Sequence, residues 1–159
     1  MKRALALASI CAALPGQIVS SPTGCQRWAP NGVPVTLGTL GSAPASPTGG
    51  WAVFAIDGVA AGDLAVLFLG HEETTTSVLG LPVGGSLGAL VPGWNMASCC
   101  ICTSGDLQVA NVATGPQVTL WTYIPASVAL YGPFLVQGLV SDPSPLGWTM
   151  TENMLEYHY

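Results

Sequence analysis

Two apolar runs dominate the pattern of the chain: residues 118–124 (VTLWTYI) and 134–140 (FLVQGLV), separated by a segment that Pro125 opens and Gly132-Pro133 closes. Both are rich in β-branched and aromatic residues and bounded by Gly, Pro and Ser, which predicts two core strands. Upstream, residues 51–57 alternate, with Trp51, Val53 and Ala55 on one side and Ala52, Phe54 and Ile56 on the other. Both sides are apolar, so this strand is expected to be covered on both faces. Residues 64–69 (LAVLFL) predict a central strand, and residues 58–63 and 70–73 the turns around it. Residues 106–112 alternate, and residues 148–159 alternate without a breaker and are expected to close the sheet. Pro34 confines a strand over residues 33–40 to a sheet edge. Residues 74–79 and 87–91 are shorter candidates.

The total is eight or nine short strands at intervals of about 8–12 residues, which predicts an all-β sandwich, with a closed β-barrel as the alternative. Outside the first residues no segment has a helical period. Met1-Lys2-Arg3, the apolar run at 4–14 and Pro15-Gly16 have the order of a secretory leader. The expected organisation is a leader at 1–21 cut after Ser20 or Ser21, a Pro/Gly/Ser-rich segment at 22–50 with one edge strand, and a sandwich core at 51–159. Residues 22–159 then form one domain. The apolar run is too short for a comfortable membrane span of about 20 residues.

Composition sharpens this picture. Only 7% of the 159 residues are charged, against about 25% in ordinary soluble domains, too few for the polar face of surface helices. Gly (20) and Pro (13) fit many turns. Without the leader, Arg27 stands alone against eight acids, a formal charge of −7. Such a surface repels nucleic-acid phosphates and anionic headgroups. The glycine-rich stretch at 80–85 lacks the Lys-Ser or Lys-Thr of a phosphate loop.

Two stretches carry a family resemblance. One is residues 79–90 (LGLPVGGSLGAL) after LAVLFLG, and the other is residues 134–143 (FLVQGLVSDP) after Ile124-Pro125. Together with Thr151-Glu152-Asn153, in place of a Thr-Asn-like pair, their order resembles a family of small secreted all-β domains of environmental bacteria. That family shows L-P-x-G-G and L-Q-G-L-V-x-D-P motifs and has no assigned activity. The resemblance spans residues 51–159 and implies export and a sandwich-like fold. It transfers no catalytic residue. The cluster Cys99-Cys100-Ile101-Cys102 departs from it.

In an exported chain Cys25, Cys99, Cys100 and Cys102 imply disulfides, with three possible pairings. Adjacent cysteines fit disulfide geometry badly, so Cys25 is expected to pair with one cluster member and a second bridge to form within the cluster. The long loop closed by Cys25 would stabilise by about 4 kcal/mol in the chain-entropy model. The spacing C-C-x-C does not match zinc sites, and no metal or cofactor is expected. A lipidated Cys11 is disfavoured by Ile10 before it.

His71-Glu72-Glu73 is the densest titratable group and reads first as a solvated turn, with acid–base work as the sharper alternative. Asp57-Gly58 and Ser141-Asp142-Pro143 read as turns rather than a calcium site. Gln137, inside an apolar strand, needs a hydrogen-bond partner if buried. Trp28, Trp94, Trp121, Tyr123, Trp148, Tyr157 and Tyr159 are numerous for so uncharged a chain. Trp121 and Tyr123 share a strand face, where they either fill the core or form an exposed platform for a sugar or a partner. The leading expectation is an exported non-enzymatic β-domain with a structural, adhesive or self-assembly role, possible as a homo-oligomer or filament. The alternative is a carbohydrate-binding module acting through Trp121 and Tyr123. Third is a hydrolase using acids among Asp57, Asp63, Glu72 and Glu73.

Overall fold

A computed structural model describes residues 17–23, 34–40, 49–71, 77–78, 81–82, 103–126, 134–141 and 148–158. Its strands are β1 (Gln17–Pro22), β2 (Thr36–Thr39), β3 (Gly49–Asp57), β4 (Leu64–His71), β5 (Ser77–Val78), β6 (Leu81–Pro82), β7 (Leu107–Val112), β8 (Gln117–Pro125), β9 (Phe134–Ser141), β10 (Trp148–Met150) and β11 (Asn153–His158). A six-stranded sheet runs β1-β11-β9-β4-β7, with β10 also on β9. A three-stranded sheet runs β2-β3-β8, and β5 and β6 form a small pair of their own. The two large sheets hold nine strands, within the expected number, and every pairing is antiparallel. They do not close on each other, so the fold is the predicted sandwich and not the alternative barrel. No described helix is long and apolar enough to cross a membrane.

The inner faces meet in one core. Ala65, Leu67, Leu69, Val136, Val140 and Leu155 of the large sheet join Leu37, Phe54, Ile56, Val118, Leu120 and Ile124 of the small one in a single cluster. Phe54 and Tyr157 meet edge to face across it, with centroids 6.0 Å apart. The two runs that dominate the sequence, β8 and β9, lie in different sheets. β8 alternates between buried and exposed positions, as a strand with one free face must. β9 is buried at all but two of its positions, which accounts for its unbroken apolar sequence. For β3, the second face is covered only in part: Ala52, Phe54 and Ile56 point inward and Ala55 is buried on the other side, but Trp51 is exposed and Val53 only half-buried.

Two of the connections that carry the chain between sheets bond to each other. Residues 58–63 lead from β3 to β4, and residues 113–116 from β7 to β8. Gly58 N–H donates to Pro116 O (3.1 Å), Gly62 N–H to Ala113 O (2.8 Å) and Ala113 N–H to Asp63 O (2.8 Å). Gly62 has φ +96°, which a side chain would resist. The buried Asp63 carboxylate accepts Ala60 N–H at 2.8 Å and fixes the turn.

The last strand, expected to be continuous, is broken. Met150 pairs with Leu139 and Leu155 with Val136, so four residues, 151–154, stand opposite two, 137–138. This bulge of two extra residues turns Thr151 onto Gly138. Gly138 N–H donates to Thr151 Oγ1 (3.1 Å), and Thr151 N–H donates to Gly138 O (2.9 Å). A Cβ on Gly138 would lie 2.6 Å from Thr151 Cγ2 and 2.8 Å from Ile56 Cδ1, so only glycine fits. Beyond the break the backbone reaches the other sheet, where Glu152 N–H donates to Val35 O (2.8 Å), while Thr23 N–H, just after β1 of the same sheet, donates to Glu152 O (2.9 Å). The Asn153 amide accepts Leu37 N–H (2.8 Å) and donates to Leu37 O (2.7 Å) and Ser20 Oγ (2.9 Å). It acts as a strand neighbour for β2 and closes that edge against further pairing. This is why the edge strand predicted from Pro34 sits stably at the periphery. His158 continues β11 to a pairing with Gln17.

Candidate binding face

Parity decides what the small sheet shows to solvent. Phe54, Ile56, Leu120 and Ile124 take the inner positions, so the alternate residues must point outward. Trp51 stands opposite Tyr123, and Val53 opposite Trp121. Trp51 and Trp121 are each 62% exposed and Tyr123 47%. Their rings touch: Trp51 and Trp121 lie 5.3 Å apart at 54°, Trp51 and Tyr123 5.7 Å apart at 74°. Leu40, 43% exposed, adjoins them through its N–H bond to Val53 O (3.0 Å). These residues form one aromatic patch on a sheet face, not part of the core.

A groove of about 320 Å³ runs beside this patch, where β7 of one sheet passes β8 of the other without a ladder. Val109, Ala110, Asn111, Thr119, Leu120 and Trp121 line it. Asn111 Nδ2 donates to Thr119 O (2.9 Å), and its Oδ1 accepts Val112 N–H (2.9 Å). A side-chain amide thus spans this seam, as Asn153 spans the opposite one. The groove joins an aromatic face to an amide and a hydroxyl, and none of its six lining residues is titratable. Such a site can hold a ligand by stacking and neutral hydrogen bonds, but it offers no acid, base or nucleophile of ordinary strength.

The acids expected for a hydrolase do structural work where they are described. Asp57 Oδ1 accepts Gln117 Nε2 (2.7 Å) across β3 and β8, and Asp63 holds its turn. Glu72, Glu73 and Asp142 lie outside the described residues. His71, at the end of β4, is half-buried with its ring edge-on to Phe134 at 5.8 Å. Its backbone N–H donates to Ser104 Oγ (3.0 Å), while the Ser104 hydroxyl donates to Asp106 Oδ2 (2.7 Å). That hydroxyl therefore directs its hydrogen bond to a carboxylate and not to an imidazole, unlike the serine of a Ser–His pair. Among the described residues no three His, Cys, Asp or Glu side chains gather as a metal site would require.

Gln137 is fully buried in β9, as its apolar setting suggested. Trp148 is half-buried and Tyr157 belongs to the core. The disulfide candidates Cys25, Cys99, Cys100 and Cys102, together with Cys11, Trp28, Trp94 and Tyr159, lie outside the described residues. Of the site residues singled out from sequence, Trp121 and Tyr123 do share an exposed face. Trp51 and Asn111 were not foreseen as site residues. Trp51 was legible through parity with Phe54 and Ile56, whereas Asn111 gains its role only where two sheets approach. No protein-family model matches the chain, and no curated protein or solved structure matches it.

Proposed function

We propose that the protein is a non-enzymatic exported domain that adheres to a neutral glycan through the outer face of its three-stranded sheet. The observation that carries this reading is the cluster of Trp51, Trp121 and Tyr123, exposed together beside the Asn111 groove. Aromatic rings stack on the C–H faces of sugars, and amide and hydroxyl groups bond their hydroxyls. A neutral ligand also escapes repulsion by a chain with a net charge of −5. The apolar run after Lys2-Arg3, and the resemblance to secreted β-domains, support export.

Affinity electrophoresis through neutral polysaccharides tests this proposal. Retardation of the wild-type protein is expected, about tenfold weaker in Trp121→Ala, with urea unfolding little changed because the ring is largely in solvent. Binding should be insensitive to salt, since no ion pair is made. Equal migration of the wild type and a Trp51→Ala/Trp121→Ala/Tyr123→Ala variant in every polysaccharide would remove the reading. Self-association is a second reading, favoured by the apolar character that Leu40 adds to the patch. Because Asn153 closes the β2 edge, self-association would use the sheet face rather than that edge. Light scattering over a range of concentrations separates the two: a monomer throughout excludes assembly.

A further inference from the structure

We infer that export processing stops short of β1: the leader is removed on the N-terminal side of Gln17, and the mature domain keeps residues 17–22 as a strand of its larger sheet. This inference rests on the export reading above and goes beyond it by locating the end of the mature chain. Cleavage after Ser20 or Ser21 would leave small residues at the cut, although Pro22 makes the second a poor site. In the fold both bonds lie inside β1, which pairs with β11 in one register from Gln17 opposite His158 to Pro22 opposite Asn153.

The pairing is integrated with the rest of the domain. Ile18 packs against the hydrophobic core. Ser20 Oγ accepts Asn153 Nδ2 at 2.9 Å, from the same amide that holds Leu37 of the opposite sheet. The Ser21 hydroxyl donates to Glu156 Oε1 at 2.7 Å. Directly after β1, the buried Thr23 hydroxyl donates to Thr151 O at 2.7 Å, and its N–H bonds Glu152 O. A cut after Ser20 or Ser21 would strip most of β1 and leave the backbone of β11 as an unpaired edge. It would also remove the apolar cover that Ile18 gives beside Tyr157. Upstream of β1, Ala12-Ala13 and Gly16 supply small residues at the end of the apolar run, so a usable cut exists without this loss.

The test is expression of the full chain in a secreting bacterial host, with intact mass and N-terminal sequencing of the exported protein. The expected N-terminus lies after residue 13 and no later than Gln17. A terminus at Ser21 or Pro22 would overturn the inference while leaving export intact. A chain that keeps Met1, or stays inside the cell, would overturn both. A second measurement does not depend on identifying the cut. Ile18→Ala, produced in the same way, should lower the urea midpoint of the mature protein and raise the unfolded fraction at fixed urea about tenfold. No shift would mean that Ile18 is absent from the mature domain, and would refute the retained strand.

Discussion

Asn153→Ala removes one small side chain that spans the gap between the sheets, and its cost can be worked from the bonds it breaks. The amide satisfies both backbone groups of Leu37, at 2.8 and 2.7 Å, and reaches Ser20 Oγ at 2.9 Å. Leu37 is buried, and among the described residues no strand pairs with β2 on its Asn153 side. Deleting a partner from a buried donor or acceptor costs about 1–3 kcal/mol. The two Leu37 bonds are only part-buried, so water can reach the vacated space, and each is expected at the lower end, near 1 kcal/mol. The exposed bond to Ser20 adds about 0.5 kcal/mol. The sum is about 2.5 kcal/mol, a large part of the ~5–15 kcal/mol that holds a typical domain. Asn153→Asp should cost at least as much, because a carboxylate keeps the acceptor for Leu37 N–H but sets negative charge against Leu37 O. Glu152→Ala is the control: Glu152 bonds Val35 and Thr23 through backbone atoms, and its change should fall within about 0.5 kcal/mol. Equilibrium urea unfolding measures all three. A loss below about 0.5 kcal/mol for Asn153→Ala would refute the view that this amide joins the sheets.

Three further outcomes are expected. Gly138→Ala should destabilise by about 1–3 kcal/mol in the same assay, because its Cβ would press on Thr151 Cγ2 and Ile56 Cδ1 inside a packed core. Thr149→Val should be neutral or stabilising by up to about 1 kcal/mol, since Thr149 Oγ1 is buried with no hydrogen-bond partner among the described residues. A marked loss there would reveal a role for that hydroxyl. Trp51→Ala should weaken polysaccharide retardation and shift the fluorescence of the remaining tryptophans, because its ring contacts both Trp121 and Tyr123. Unchanged retardation would confine binding to the groove side of Trp121.

Much of the architecture was legible in residue order because strands obey a period of two and end at Gly and Pro. The segments at 51–57, 64–69, 106–112, 118–124 and 134–140 became β3, β4, β7, β8 and β9 with boundaries shifted by a residue or two. β1 was hidden because its residues follow directly on an apolar leader-like run, and a linear reading assigns them to that run. The break at Thr151-Glu152 was hidden because a bulge leaves the local alternation intact. Only the facing Gly138 reveals it, thirteen residues away.

The sequence alone determined that this protein is built of many short β-strands and carries few charges, since periodicity, turn residues and charge content are local or additive; that the sheets stay open as a sandwich and do not close as a barrel was decided by their packing. Tertiary structure decided which apolar side chains face water. A strand such as β3, apolar on both sides, can bury either face, and the choice falls to whichever side meets the other sheet. That is why Trp121 left the core for the platform, and why two asparagines, ordinary polar residues in the linear pattern, became the bridges between sheets. Each satisfies backbone groups that exist as a problem only after two edges have been brought together.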